Sequence, residues 1–327
     1  MKTTITVQKN DAGQRLDKFL TKTYLVQQRL PLPLLYKAIR KKDVRLNGKR
    51  CDSADRLQEG DVLSLFLPED VLQEVPPAYD FLQASRQLDI VYEDDNLLLL
   101  NKKPGLLVHP DEHEYRDTLI FRVQRYLYEK GEYDPAAEQS FTPALVNRID
   151  RNTAGIVLAA KNAAALRILN EKLKQREIEK YYLCIVHGQM PKPADTLEGY
   201  LEKDEKKNRV TVSAAPIPGG RTIRTRYRVL EERYGMSLLE IHLLTGRTHQ
   251  IRAHLASIGH PLLGDGKYGR NTLNKGTGFD KQALCSYRLR FAFTTPAGEL
   301  EYLNGREFVL PSVWFADKFR DGTLFRE

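Results

Sequence analysis

Residues 144–162 read ALVNRIDRNTAGIVLAAKN, and the reading of the chain turns on the change of character at Gly155. Before it, Asn147, Arg148, Asp150, Arg151, Asn152 and Thr153 crowd polar groups together. After it, Ile156, Val157, Leu158, Ala159 and Ala160 form an apolar run that is short, β-branched at its start and preceded by a glycine, the marks of a buried strand. The polar cluster is therefore a loop that enters the core. A carboxylate set between two arginines at such a point differs from an ordinary solvated charge run, and its structural alternative is a buried Asp–Arg pair that fixes the loop.

Downstream, NAAALRILNEKLKQREI places Leu166, Leu169 and Leu173 at helical spacing behind the helix-forming Ala163–Ala165. EKYYLCIVHG then reads as a strand ending at Gly188, in which Tyr181 and Tyr182 point to opposite faces, so that only one of them shares a face with Asp150. Residues 241–269, IHLLTGRTHQIRAHLASIGHPLLGDGKYG, begin as a strand to Leu244. They continue through Thr245-Gly246 into a short helix that is expected to be capped by Thr248, with Arg247 and Arg252 placed to meet an anion. Upstream, LDIVYEDDNLLLLNKKPGLLVHP gives a strand, a turn at Asp94-Asp95-Asn96, a second strand over Leu97–Leu100, and a rigid basic corner at Lys102, Lys103, Pro104 and Gly105. Alone, that corner reads as a simple β-turn.

Composition limits the function classes. With 41% hydrophobic and 29% charged residues, the 327-residue chain is globular in type and long enough for about two domains. No run approaches the roughly 18 apolar residues of a spanning helix, and MKTTITVQKNDAG lacks the apolar middle of a signal peptide. These features lead to the expectation of a cytoplasmic protein. Cys51, Cys184 and Cys285 have neither disulfide-framework nor zinc-site spacing. Gly264, Gly266 and Gly269 satisfy G-x-G-x-x-G, but no apolar helix follows them, which argues against a dinucleotide site. His109 with His113, and His249 with His254, lack the second ligand cluster of a metal site, so no metal is expected. No P-loop or G-x-S-x-G elbow occurs.

Net charge is +8 with a pI near 9.2, and residues 1–66 hold fourteen Lys and Arg against seven acids, a surplus of seven in the first fifth of the chain. Such a balance favours a polyanionic partner. In this part, Leu16, Phe19, Leu20 and Tyr24 keep helical spacing, as do Leu34, Leu35, Ala38 and Ile39 after Pro31 and Pro33. VRLNGKR turns at Asn47-Gly48, a two-residue hairpin signal, and DRLQEGDVLSLF completes a small sheet. Lys37, Arg40, Lys41 and Lys42 at the second helix's end, with Arg45, Lys49 and Arg50 by the hairpin, form a phosphate-binding surface. The competing reading is a solvated helix C-terminus, where cations are favoured anyway. The prolines and mixed charge of residues 68–88 read as an extended linker.

RLDKFL, VRLNGK and LQEGDVL resemble the S-four-type RNA-binding domain, which implies binding of structured RNA. NRIDRNTAG, KYYLCIV and TGRTHQIRAHLASIGHPLLGDGKYG, with VYEDDNLLLLNKKPGLLVHP before them, resemble in order the RluA family of pseudouridine synthases. The resemblance implies an α+β chain: a small α/β RNA-binding domain over 1–67, a linker over 68–88, and a synthase domain over 89–327 with a mixed, mainly antiparallel sheet and a central cleft. It implies that Asp150 is the catalytic aspartate, Tyr182 the active-site tyrosine and Arg252 the arginine paired with the aspartate. It further implies that Arg148 fills the gap left by a flipped base. Arg151, Thr153, Arg247 and Lys102 join Lys37, Arg40, Lys41, Arg45 and Lys49 as expected RNA contacts.

Asn147, Ile149, Ala154 and Cys285 depart from the family's usual residues; the changed Asn147 and Ala154 raise as an alternative a non-catalytic RNA-binding protein or RNA chaperone derived from a synthase, and the retained Asp150, Tyr182 and Arg252 count against it. A glycoside enzyme is disfavoured by the lack of a second well-placed acid. Forming pseudouridine breaks a glycosidic bond, rotates the base and rejoins it through carbon, without redox change or hydrolysis. No cofactor is required. The reaction needs an aspartate that acts as nucleophile or base, and a buried carboxylate stays ionised only with an opposite charge nearby, which Arg252 supplies. The expected substrate is large-subunit ribosomal RNA, acted on by a monomer with no membrane partner.

Overall fold

Helical spacing in the front of the chain becomes two helices, Leu16–Leu20 and Leu32–Lys41, in the computed structural model, which describes residues 2–25, 31–68, 78–112, 114–204, 209–269 and 271–325. Of the spaced positions, Leu16, Phe19, Leu20, Leu35, Ala38 and Ile39 are buried in one cluster with Val44, Leu63 and Leu65, whereas Leu34 is exposed. Pro33 sits in the first turn of the second helix, where its missing N–H costs nothing. Strands β1 (Lys2–Thr6), β2 (Val44–Leu46), β3 (Lys49–Arg50) and β4 (Val62–Phe66) form a sheet in the order β1-β4-β2-β3. Leu46 pairs with Lys49 across Asn47 (φ 51°) and Gly48 (φ 75°), the positive angles a two-residue primed turn demands.

This first compact unit comprises Met1–Arg86, Phe121–Ala144 and Asn162–Ala164. Residues 69–77 of the expected linker lie outside the described residues. Its later part differs from an extended connector: Asp80–Gln83 is a 3-10 turn that buries Phe81 against Tyr79, Tyr128 and Tyr133. The Arg125 guanidinium donates to the Leu82 and Ala84 carbonyls. An aromatic anchor and a helix-borne cation therefore hold a segment that composition alone marks as open.

The second unit, Gln87–Ile120, Leu145–Lys161 and Ala165–Glu327, is built on β5 (Ile90–Glu93), β6 (Leu97–Lys102), β7 (Ala144–Leu145), β8 (Ala154–Ala160), β9 (Ile178–His187), β10 (Ala194–Asp204), β11 (Arg209–Ser213), β12 (Arg221–Arg233), β13 (Met236–Leu243), β14 (Leu284–Phe291) and β15 (Glu307–Val309). The sheet runs β11-β10-β12-β13-β9-β14-β8-β6-β5, with β15 on β14 and β7 on β8. Every pair along that path is antiparallel except β14 with β8, so the sheet is mixed and mainly antiparallel, as expected. Gly155 makes the parallel step possible: its φ is 108°, and a Cβ there would stand 2.2 Å from the Ser286 carbonyl oxygen. That approach sets the polar loop before β8 beside β14 and β9. Among the described residues, no helix is long and apolar enough to cross a membrane.

Candidate active site

The apolar run of β8 is buried throughout, and the loop before it closes on itself where the Thr153 N–H donates to the Asp150 carbonyl at 3.0 Å. Asn147 braces the same loop, its Oδ1 accepting from the Leu158 N–H at 2.8 Å. Asp150 emerges with its side chain 24% exposed and accepts on Oδ2 from Arg252 Nη1 at 2.8 Å. The expected carboxylate–guanidinium pair is therefore present, joining residues 102 positions apart.

Arg252 is held from behind. Its Nε and Nη2 donate to Asp265 Oδ2 and Oδ1 at 2.7 and 2.9 Å, a two-pronged grip that fixes the guanidinium plane. Asp265, fully buried, also accepts on Oδ1 from the N–H groups of Lys267 and Tyr268. Burial alone would raise the Asp265 carboxyl, but the Arg252 fork and charge outweigh it and hold the carboxyl below its ordinary range. Burial likewise works against the Arg252 charge, and the two carboxylates more than reverse that effect. The arrangement is a fixed cation that turns one nitrogen outward to Asp150.

Asp265 and its role were not among the sequence candidates. It stands within a glycine-spaced segment read only as a failed dinucleotide motif, and its one signal is an acid set in a buried apolar–glycine run. It also corrects the expectation that no second acid lies nearby. With both oxygens committed to Arg252, Asp265 cannot activate a water as the second carboxylate of a glycosidase does.

Tyr182 faces this network and Tyr181 does not. Tyr182 pairs in register with Ile241 and Ser286 and is buried against the cluster that holds Ile149 and Ile251. Burial pushes its hydroxyl above the ordinary tyrosine range despite a hydrogen bond with Ser286, so it stays protonated. Tyr181 stacks on His242 at 4.4 Å and lies under the Arg288 guanidinium at 3.8 Å.

The helix Gln250–Ser257 that carries Arg252 is capped differently from expectation. His249 occupies the cap in a left-handed conformation (φ 52°), and no side chain caps the helix. Gln250 anchors its start instead, accepting from Thr245 Oγ1 and the Arg247 N–H and donating to the Arg224 carbonyl. His249 lies 3.9 Å from Asp150, and its Nδ1 is 2.8 Å from the Tyr268 hydroxyl. Burial pushes its imidazole down to about 4 against the opposing pull of Asp150, so it is neutral at physiological pH. His254 is engaged with Thr225; His113 lies outside the described residues.

Lys102 requires a correction. It was expected at the RNA surface, yet it is 1% exposed, and its Nζ donates to the carbonyls of Lys103, Leu106 and Arg151 at 3.0, 2.8 and 2.7 Å. Three carbonyls matched to the three hydrogens of an ammonium make it an internal brace for the Asp150 loop. Burial lowers it to about 7, with Asp150 opposing. Thr153 is also buried, accepting from Gln282 Nε2, and so supports the loop from inside. Arg148, Arg151 and Arg247 are exposed, and Arg151 Nε donates to the Gly105 carbonyl at 3.0 Å. In the first unit, Lys37, Arg40, Lys41, Arg45 and Lys49 are all exposed, with Arg45 over the Phe66 ring at 5.2 Å.

A family profile described as RNA pseudouridylate synthase matches residues 96–257. Over 301 residues the chain is 33% identical to ribosomal large subunit pseudouridine synthase C of Vibrio cholerae serotype O1, covering 90% of each chain. It is 34% identical over 301 residues to the Escherichia coli K12 protein of the same name, covering 88% of each. Among solved structures, human RNA pseudouridylate synthase domain containing 1 shares the fold with a TM-score of 0.52 at 22% identity, over 76% of this chain and 97% of that one.

Proposed function

We propose that this chain, which belongs to the RluA family of RNA pseudouridine synthases, isomerises uridine in large-subunit ribosomal RNA with Asp150 as the carboxylate that opens the glycosidic bond. The observation that carries the assignment is the Asp265–Arg252–Asp150 chain of contacts, which presents one part-exposed carboxylate on a cation fixed from behind. A carboxylate so placed suits attack on the sugar or proton abstraction that starts an elimination. The relatives' names, ribosomal large subunit pseudouridine synthase, support the choice of RNA.

In this reading the target uridine is flipped from its stack, at roughly a few kcal/mol. Exposed Arg148 takes the vacated place, and Arg151 and Arg247 hold phosphates. Tyr182, buried beside Asp150, bounds the place of the flipped base and offers it a hydroxyl that stays protonated. Residues 1–67 serve as an S-four-type module that binds structured RNA through Lys37, Arg40, Lys41, Arg45 and Lys49, and residues 89–327 hold the chemistry. The protein works as a monomer in the cytoplasm.

Three of the departures from the family pattern, Asn147, Ala154 and Cys285, take structural places that leave the Asp150–Arg252 contact intact. Asn147 holds Leu158, and Ala154 and Cys285 pair where β8 meets β14. Mass-spectrometric mapping of pseudouridine in ribosomal RNA tests the proposal, using cells that lack the protein and are complemented with wild type or Asp150→Ala. The expected result is loss of specific sites that wild type restores and the variant does not; an unchanged map would leave only RNA binding.

A further inference from the structure

The basic corner at Lys103-Pro104 has a use that the chemistry at Asp150 does not absorb. It helps to line a cavity of about 350 Å³ whose lining also includes Phe279, Asp280, Lys281 and Trp314. Trp314, the single tryptophan of the chain, is 54% exposed and stacks on Phe279 at 5.2 Å with 14° between the rings. An indole held flat and left open to solvent is a costly surface to maintain without a partner. The same lining carries two exposed lysines, Lys103 and Lys281, the second with its Nζ 3.9 Å from the exposed Asp280 carboxylate. A planar apolar face with cations in the same cavity lining is a combination that takes a nucleobase with its phosphates.

The cavity is tied to the catalytic loop. Ala154, in its lining, lies four residues beyond Asp150, so the two Cα atoms are at most about 14 Å apart even along fully extended chain. Thr153, between them, is bonded to Gln282, another lining residue. The corner itself is joined to the loop by the Gly105 N–H to the Arg151 carbonyl at 2.9 Å and by Arg151 Nε back to the Gly105 carbonyl. Flipping a uridine toward Asp150 also strips a stacking partner from its neighbour in the strand.

We infer that this cavity is a nucleotide subsite, in which a base adjoining the target uridine stacks on Trp314 while Lys103 and Lys281 hold the phosphates beside it. The inference rests on the synthase reading and adds a second point of strand recognition to it. Such a subsite acts on binding and leaves the chemical step alone.

Because Trp314 is the only tryptophan, its emission reports on this cavity directly. Asp150→Ala protein is titrated with an unmodified transcript of large-subunit ribosomal RNA, with binding followed in parallel by the anisotropy of the labelled RNA. The expected result is quenching of the tryptophan emission along the same curve as the anisotropy. In the otherwise wild-type enzyme, Trp314→Ala and, separately, the double variant Lys103→Gln/Lys281→Gln should raise KM by about fivefold or more at unchanged kcat, with Trp314→Phe restoring most of the loss. The lysine pair is exposed, so its variant tests the site without disturbing packing. If the RNA is bound and isomerised while the emission stays constant and both variants keep wild-type KM, the subsite is overturned and the synthase reading stands. If the transcript is neither bound nor isomerised, both fail together.

Discussion

Two charged regions of this molecule look alike in sequence and are physically opposite. The loop around Asp150, with its partners Arg252 and Asp265, and the segment from Lys37 to Lys49 are both rich in charged residues. In the first, Arg252 and Asp265 are buried, each contact is 2.7–2.9 Å long, and the donors of one side chain are divided between two carboxylates. In the second, Lys37, Arg40, Lys41, Arg45 and Lys49 stand in solvent. Buried charge is fixed in direction at a high desolvation cost and suits chemistry at one atom. Exposed charge is cheap, adaptable and screened by salt, and suits a backbone of phosphates.

The contrast is sharpest where one side of the buried pair is removed. Asp150→Ala should lower pseudouridine formation by on the order of 10³-fold or more, yet leave stability within about 1 kcal/mol, because Arg252 keeps its two-pronged contact with Asp265. Asp265→Ala should do the reverse to the balance. It leaves the buried Nε and Nη2 of Arg252 without acceptors, with Asp150 the remaining partner, and should cost about 3 kcal/mol in urea unfolding, with activity falling as Arg252 loses its plane. Equal destabilisation by the two variants would mean that the outer and inner contacts are energetically alike, and the comparison between fixed and free charge would lose its basis inside the site.

How far the sequence discloses these two regions follows from the range of the forces involved. Local period suffices for the helices around Phe19 and Ile39 and for the hairpin at Asn47-Gly48, since spacing of 3.6 and positive φ are properties of neighbours. Alternation separates Tyr182 from Tyr181, and the opening loop points to Asp150. Asp265 stays hidden because its meaning lies in a contact with Arg252 across 13 positions. Lys102 is misplaced for a related reason: a lysine in a basic corner defaults to solvent, and only the tertiary fold supplies the three carbonyls that accept its hydrogens. The packed turn at Phe81 is invisible in composition because its partners Tyr128 and Tyr133 are some fifty residues away. In β12 the buried Ile223, Thr225 and Tyr227 alternate with Arg224, Arg226 and Arg228, a half-buried strand whose period is written largely in charged residues.

Lys102 belongs to the buried side of the comparison despite its sequence setting, and pH makes this testable. Its folded pKa is lowered from 10.5 to about 7 by burial, so between those values the unfolded chain binds the proton more fully than the native one. Stability must then rise with pH across that window, and the contribution is absent below about 7, where both states are protonated. The urea midpoint of wild type, compared with that of Lys102→Met, should gain steadily from pH 7 to 10. A flat difference would mean that the three carbonyls hold the ammonium charged throughout, as on the exposed side of the comparison.

The smallest effect is expected from the free cations themselves. Lys37→Gln, Arg40→Gln and Lys41→Gln combined remove three positive charges from an exposed helix end, where the macrodipole gives each no more than about 1 kcal/mol. Folding should scarcely change. If all three meet phosphates, the slope of log affinity against log salt for ribosomal RNA should become shallower by about 2–3 units, while kcat at saturating RNA stays as in wild type. A slope that does not move would identify the cluster as a solvated helix terminus with cations placed for the dipole alone. In that event RNA recognition would rest on the exposed arginines of the second unit, Arg148, Arg151 and Arg247, and the division between fixed charge for chemistry and free charge for binding would run within that unit.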